Sequence, residues 1–209
     1  ENYEIGTVGT VLPGIEVKIG ADNEILVKSP TVMRGYYNKP EETAAVFTPD
    51  GFFRTGDAGY FNQQGALVLT ERIKDLFKTS NGKYIAPQAI ESRLGEDKYI
   101  EQVAVIGDNR KFVTAIIVPA IEALKEYASR KKIRYRNLDE LLSNPRVREL
   151  IGNRIEALQE GLASFEKIKK FTLLPKEFTM EAGELTNTLK IRRPVINRHY
   201  ASQIEAMYA

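Results

Sequence analysis

The sequence predicts an α+β fold: a β-rich first third, then a longer stretch with a short sheet and flanking helices. Three observations predict it. Before about residue 70, apolar and charged residues alternate between glycine-bearing turns, as in Ile15-Glu-Val-Lys-Ile19 and Glu24-Ile-Leu-Val-Lys28. After residue 74, apolar residues recur at helical spacing, above all in Val147, Leu150, Ile151, Ile155, Leu158 and Leu162. Between these helical stretches stand two apolar runs, Val103–Gly107 and Phe112–Val118, separated by the turn Asp108-Asn109-Arg110. A length of 209 residues suits one or two domains. The change of pattern at Ile73–Lys74 puts the boundary there, giving domains 1–73 and 74–209.

Taken in order, Gly6–Leu12 is a short apolar segment and Pro13-Gly14 a turn. The strand Ile15–Ile19 turns through Gly20–Asn23 into a second strand, Glu24–Lys28. Asn38 can cap a helix that starts at Pro40, with Glu41 and Glu42 at its positive end and Val46 and Phe47 packing inward. Tyr36 and Tyr37 read as wall and core. Tyr60-Phe61 and Ala66–Leu69 form a hairpin about Asn62-Gln-Gln-Gly65. Glu71-Arg-Ile-Lys-Asp75 crowds charges at the junction, and Thr79-Ser-Asn-Gly-Lys83 is a turn-forming cluster. Pro87 starts a helix through Leu94 that Gly95 can stop. Ile121, Leu124 and Ala128 mark a helix, Asn137 with Glu140 a capped one, and Pro145–Leu162 a longer one. Phe165–Leu174 leads into a strand that Pro175 ends. Gly183–Arg193 is an open polar loop, and Pro194 begins a helix with Val195, Ile196, His199, Tyr200, Ile204 and Met207 on one face.

Composition removes several classes of function. Hydrophobic residues make up 43% and charged residues 28%, ordinary for a soluble globular protein. The net charge of +2 is too small to imply a nucleic-acid partner, and the basic run Arg130–Arg136 reads as a solvated helix end. With no cysteine there is no disulfide or thiolate chemistry. His199 is the only histidine, which argues against a histidine-rich metal site and a Ser-His-Asp relay; it reads as a core or interface residue, and no metal ligand is expected. No run of about 18 apolar residues exists, so no transmembrane span is expected. A cytoplasmic protein, compatible with peripheral contact at a membrane, fits. The start Glu1-Asn2-Tyr3-Glu4 is neither a signal peptide nor a start methionine, which reads as a fragment or a processed chain.

Four stretches carry a resemblance: Thr55-Gly56-Asp57, Glu71-Arg-Ile-Lys-Asp75, Ser80-Asn-Gly-Lys83, and the long run from Phe165-Glu-Lys-Ile-Lys to Gly183-Glu-Leu-Thr-Asn-Thr-Leu-Lys-Ile-Arg-Arg193. In type, spacing and order they resemble the signatures of the adenylate-forming superfamily, which includes acyl-CoA synthetases, luciferase and peptide-synthetase adenylation domains. The long-chain fatty acyl-CoA synthetase branch matches best through the last run. Residues 23–40 resemble a further, mainly structural motif, with Asn23 in place of its usual glycine. The likeness runs from about Gly6 to the end, but only onto the carboxy-terminal part of such enzymes. Neither the Ser/Thr/Gly-rich phosphate loop nor the Tyr-Gly-x-Thr-Glu motif is present.

The resemblance implies that 1–73 is the incomplete β subdomain closing a large AMP-binding domain, and 74–209 the small mobile domain. The missing N-terminal large domain is then its partner, and the chain alone is inactive. The implied reaction joins a fatty acid to the α-phosphate of ATP, releasing pyrophosphate, and then passes the acyl group to CoA, releasing AMP. Magnesium would accompany ATP, its ligand lying upstream. By the same resemblance Lys190 is the catalytic lysine, reaching the carboxylate and the α-phosphate. Asp57 accepts the two ribose hydroxyls, Arg72 meets the same ribose, and Gly56 lets the nucleotide approach. Lys74 is the hinge. Gly82 and Lys83 belong to the CoA channel, with Thr79, Ser80 and Tyr84 beside them. Arg192 and Arg193 either reach CoA phosphates or only cap solvent. Two alternatives stand: an acid–thiol ligase for medium-chain, aromatic or amino acids, and a docking or regulatory module of the same fold without activity.

Overall fold

The first sheet has four antiparallel strands in the order β1-β2-β3-β4, in a computed structural model that describes residues 4–209. The opening Glu1-Asn2-Tyr3 lies outside the described residues. The strands are Glu16–Ile19 (β1), Glu24–Lys28 (β2), Phe53–Phe61 (β3) and Leu67–Arg72 (β4). The Asn62–Gly65 turn forms as its residues predict. Asn62 Oδ1 accepts the N–H groups of Gln64 and Ala66 at 3.0 and 2.9 Å, and Gly65 supplies a left-handed φ of +76°. Among the described residues, Ile25, Leu26, Phe52, Ala58 and Ala66 are the buried apolar residues of this unit.

Helix α1, Pro40–Ala45, starts on proline as expected, but Asn38 does not cap it. Lys39 occupies the cap position, while Asn38 turns the chain at φ +53°. No side chain caps the helix; Thr43 instead ties it to the preceding turn, its Oγ1 accepting Tyr36 N–H at 2.9 Å and donating to Lys39 O at 2.7 Å. Phe47 packs edge-on against Phe53, with centroids 5.6 Å apart. Tyr36 and Tyr37 are not core residues; they are 45% and 90% exposed.

The chain divides into two compact units, Glu1–Leu76 and Phe77–Ala209. The second is built on a three-stranded sheet of order β7-β8-β9, from Ile100–Ile106, Val113–Pro119 and Ile168–Leu173. A two-stranded ribbon, Phe77–Lys78 (β5) and Tyr84–Ile85 (β6), precedes it. Strand β8 pairs antiparallel with β7 and parallel with β9. Every residue of β8 is buried, which explains why the strand is apolar but for Thr114, whose hydroxyl donates to Tyr208 OH at 3.0 Å. Alternation then sorts its side chains. Val113, Ala115 and Ile117 face a core filled by helices α2 (Pro87–Gly95), α3 (Ile121–Arg130), α4 (Leu138–Ser143) and α5 (Pro145–Leu158). Ile116 and Val118 face a second core with Phe178 and helices α6 (Arg193–His199) and α7 (Ala201–Tyr208).

Two helix readings change. Helix α5 stops at Leu158 rather than Leu162, and Gly161 turns the chain beyond it at φ +84°. The final helix is broken at Tyr200, whose φ and ψ of −112° and 26° separate α6 from α7. The Asn137 cap forms, its side chain accepting Glu140 N–H at 2.9 Å. The exposed edge of β7 is covered by side chains. Gln102 exchanges two hydrogen bonds with the Phe178 backbone, at 3.2 and 2.6 Å. Glu91 accepts Val105 N–H at 2.8 Å, and Arg193 donates to Val105 O at 3.4 Å. Both backbone groups of Val105 on that edge are thus already engaged. Among the described residues no helix is long and apolar enough to cross a membrane.

Candidate functional site

Thr55-Gly56-Asp57 stands out from its strand because the β2–β3 register slips. Glu24 pairs with Ala58 and Leu26 with Arg54, so two steps on β2 face four on β3 and the motif bulges. Gly56 makes the bulge at φ +71°, and a side chain there would meet nothing within 4 Å. The glycine is needed for backbone conformation, and it leaves that side open. Thr55 Oγ1 donates to Ile25 O at 2.7 Å and accepts Asp57 N–H at 3.1 Å. Beneath lies Glu24, a buried carboxylate that accepts Arg54 Nη1 at 2.9 Å and Gly56 N–H at 3.3 Å. Strand β4 brings Arg72 opposite Asp57 in register, and its Nε stands 3.1 Å from Asp57 Oδ1. The pairing places two candidate residues side by side.

Lys74 lies in a one-turn 3-10 helix, Ile73–Asp75, with its side chain exposed. After it, Thr79–Lys83 closes as a tight loop. Thr79 N–H donates to Lys83 O at 2.9 Å and Gly82 N–H to Thr79 O at 2.8 Å. Gly82 has φ +77°. Lys83 is exposed, its Nζ 5.6 Å from the Phe165 ring centre. Thr79 is buried, and its hydroxyl accepts Lys83 N–H at 3.2 Å. The β7–β8 turn braces this loop, since Ser80 N–H donates to Arg110 O and Asn109 N–H to Lys78 O, at 2.9 and 2.8 Å. Gly107, in that turn, sits against Phe77 at the loop's base. A Cβ at Gly107 would come within 2.7 Å of the buried Phe77 ring. Gly107→Ala is therefore expected to cost about 1–3 kcal/mol by overpacking, seen as a lower melting midpoint in urea.

Lys190 is presented by the loop between Glu184 and Arg192. Thr186 N–H donates to Lys190 O at 2.8 Å, and Lys190 N–H to Thr186 Oγ1 at 3.0 Å. A Leu185–Ile191 bridge closes the base. The Lys190 side chain is exposed and lines a groove of about 350 Å³ with Gln88, Glu101, Gln102 and Arg193. Arg193 neither caps solvent nor is free to reach outward. Its side chain is 17% exposed and held 2.5 Å from Glu91 Oε1. His199 is not a core residue: its side chain is 43% exposed, with Nδ1 3.0 Å from buried Glu184 Oε1.

Glu184 also accepts Tyr200 OH at 2.9 Å and, on Oε2, Thr179 N–H at 3.1 Å. Burial pushes its carboxyl up, but His199, Thr179 and Tyr200 outweigh that and hold it below its usual range. Burial first, then the Glu184 carboxylate, pushes the Tyr200 phenol up to about 12. A raised folded value means the neutral phenol stabilises the fold. That contribution is complete below the ordinary value of 10.0 and is lost as pH rises towards about 12. Tyr200→Phe is thus expected to flatten the fall in melting temperature across this alkaline window, as measured by melts at stepped pH. Sequence reasoning missed Glu24 and Glu184 as organisers of the two loops. A lone acidic residue beside a glycine or a strand gives no local sign of burial.

With both loops in view, comparison with known proteins fixes the class. Residues 74–209 match the AMP-binding enzyme C-terminal domain, and the chain belongs to that family. Among its relatives is long-chain-fatty-acid–CoA ligase FadD15 of Mycobacterium tuberculosis, 36% identical over 208 residues, covering 99% of this chain and 34% of the relative. The adenylation domain of a carboxylate reductase from Mycobacterium chelonae has a similar structure, with TM-score 0.69 and 32% identity over 88% of this chain and 27% of that one. The A-PCP didomain of a carboxylic acid reductase from Segniliparus rugosus, solved with AMP, gives TM-score 0.69 and 31% identity, covering 89% and 24%. The chain spans about a third of the length of the curated relatives it matches.

Proposed function

We propose that this chain is the carboxy-terminal part of a long-chain fatty acid–CoA ligase that forms an acyl-adenylate from ATP and then an acyl-CoA. The observation that carries the proposal is the Asp57–Arg72 pair on the Thr55–Asp57 bulge, with Nε and Oδ1 3.1 Å apart. A carboxylate offers two acceptor oxygens to a vicinal diol, and a guanidinium offers several fixed donors. Asp57 would accept the ribose hydroxyls of ATP, Arg72 would donate beside it, and Gly56 leaves the approach open. The likeness to FadD15 over nearly the whole chain supports a fatty acid as the acid.

Lys190 would carry the first step. The acid's carboxylate attacks the α-phosphate, the α–β phosphoanhydride bond breaks and pyrophosphate leaves, and the ammonium offsets negative charge that grows in the transition state. In the second step the CoA sulfur attacks the acyl carbon and AMP leaves. Gly82 and Lys83 would serve this step, their loop backbone approaching the pantetheine arm. Lys74 is proposed as the hinge between steps; its place just before the unit boundary at Leu76 supports that role. Among the described residues no cluster of histidine, cysteine or carboxylate side chains is placed to hold a metal ion. The magnesium expected with ATP is proposed to take its protein ligand from upstream of this chain.

The test is acyl-CoA formation by the full-length protein that this chain completes, with acids from acetate to palmitate, aromatic acids and amino acids. The highest kcat/KM is expected for long-chain acids. A preference for medium-chain, aromatic or amino acids would keep the chemistry and overturn the substrate. The absence of any product with every acid would favour a docking module.

A further inference from the structure

We propose that Glu184 is a positioning residue for Lys190: a buried carboxylate that pins both ends of the loop presenting the lysine. The inference rests on the reading of Lys190 as the adenylation lysine. The loop tip, Asn187 to Lys190, is exposed and makes its shape internally. Leu189 N–H donates to Thr186 O at 2.9 Å, and Leu189 itself adopts a left-handed φ of +60°. A self-closed tip has a shape but no fixed place. Its place depends on the base, and there Glu184 is the shared partner.

The Glu184 backbone takes part twice, accepting Arg192 N–H at 2.8 Å and donating to Thr179 O at 3.0 Å. Its side chain, in a residue only 4% exposed, gathers donors from both flanks of the loop. Thr179 N–H comes from the segment before it, at 3.1 Å from Oε2. Tyr200 OH and His199 Nδ1 come from the α6–α7 junction after it, at 2.9 and 3.0 Å from Oε1. His199 donates when Nδ1 carries the proton. The Tyr200 ring is in turn fixed edge-on against buried Phe178, with centroids 5.9 Å apart.

A buried carboxylate is a costly way to gain stability alone, because an apolar side chain of similar volume often does as well. What it adds is direction: three donors fix one side chain in one pose, and that pose sets the loop. The break at Tyr200 acquires a purpose on this view. It presents the imidazole and the phenol of neighbouring residues to one carboxylate oxygen.

The experiment compares Glu184→Ala, Tyr200→Phe, His199→Ala and Lys190→Ala in the full-length ligase, with each half-reaction assayed separately. Glu184→Ala is expected to lower kcat for acid-dependent pyrophosphate exchange about tenfold or more, as small misplacements of a reacting group do. The KM for ATP should hold near the wild-type value, and thioester formation from pre-formed acyl-adenylate should stay within about twofold. Tyr200→Phe and His199→Ala should show smaller losses of the same kind. Parallel loss of both half-reactions would overturn the inference, because the Gly82 loop lies in the same unit and a merely structural role would loosen both. Wild-type exchange by Glu184→Ala beside a crippled Lys190→Ala would overturn the positioning role and leave the lysine reading standing. Wild-type exchange by Lys190→Ala would remove the lysine reading and this inference with it. Should Glu184→Ala fail to fold, Tyr200→Phe decides: it keeps the ring packing, and a selective loss of about threefold in exchange is expected, against none if the carboxylate does not position the loop.

Discussion

Lys190→Ala is expected to lower acid-dependent adenylation by about 10²–10³-fold, the usual scale for removing one preorganised charge-stabilising group. Thioester formation from pre-formed acyl-adenylate should largely persist. The asymmetry follows from the chemistry. The first step brings a carboxylate onto a triphosphate, and negative charge must be offset where it accumulates. The second brings a thiol to an activated acyl carbon and expels AMP. The lysine lies on an exposed loop tip, with only its backbone held, by Thr186 at 2.8 and 3.0 Å. Truncating it should leave the fold intact and the melting temperature near wild type. Equal loss of both half-reactions would sink the assignment of separate residues to separate steps.

Gly59→Ala should be the most damaging single-methyl change in the first unit. A Cβ at Gly59 would stand 2.3 Å from Val68 O and 2.7 Å from Ile25 Cδ1. The oxygen is backbone in the paired strand β4, so it cannot swing aside as a side-chain end can. Relief requires β3 and β4 to separate, and their register sets Asp57 opposite Arg72. A cost of about 3 kcal/mol, at the upper end of ordinary overpacking, is expected. It should appear as a lower urea midpoint together with weaker ATP use. Gly56→Ala offers the contrast. It meets open space and pays only for its left-handed φ, roughly 1 kcal/mol. If the two variants melted alike, the close β3–β4 packing at Gly59 would be wrong.

Where turn chemistry and periodicity are local, the sequence was readable. Strand β2 has the predicted bounds Glu24–Lys28, and Asn62-Gln-Gln-Gly65 turns the β3–β4 hairpin as its residues suggest. Helix ends were less legible. Leu162 continues the apolar spacing of α5, yet Gly161 lies in between, and backbone conformation there overrides periodicity. Tyr200 was equally misleading: it belongs to the same apolar face as Ile196 and Ile204, so the pattern gives no sign of a break. At the site, the motifs pointed to Asp57, Arg72, Gly56, Gly82, Lys83, Lys74 and Lys190. The supports of those residues were hidden. Glu24 meets Arg54 and Gly56 from about thirty residues away, and Glu184 meets His199 and Tyr200 from about fifteen. Such separations fall outside helical and strand periods, so only the folded chain brings the partners together. Arg193 illustrates the reverse error. Its position after Lys190 suggested an outward cation, whereas its guanidinium closes the edge of β7 with Glu91.

The most direct test is carboxylate-dependent ATP–pyrophosphate exchange by the full-length protein, over acids from acetate to palmitate and a set of amino acids. It isolates the step in which Asp57, Arg72 and Lys190 are proposed to act, and it needs no CoA. Exchange that is strongest with long-chain acids, and falls about 10²–10³-fold with Lys190→Ala, is the predicted result. No exchange with any acid, from a protein that is folded, would contradict the account.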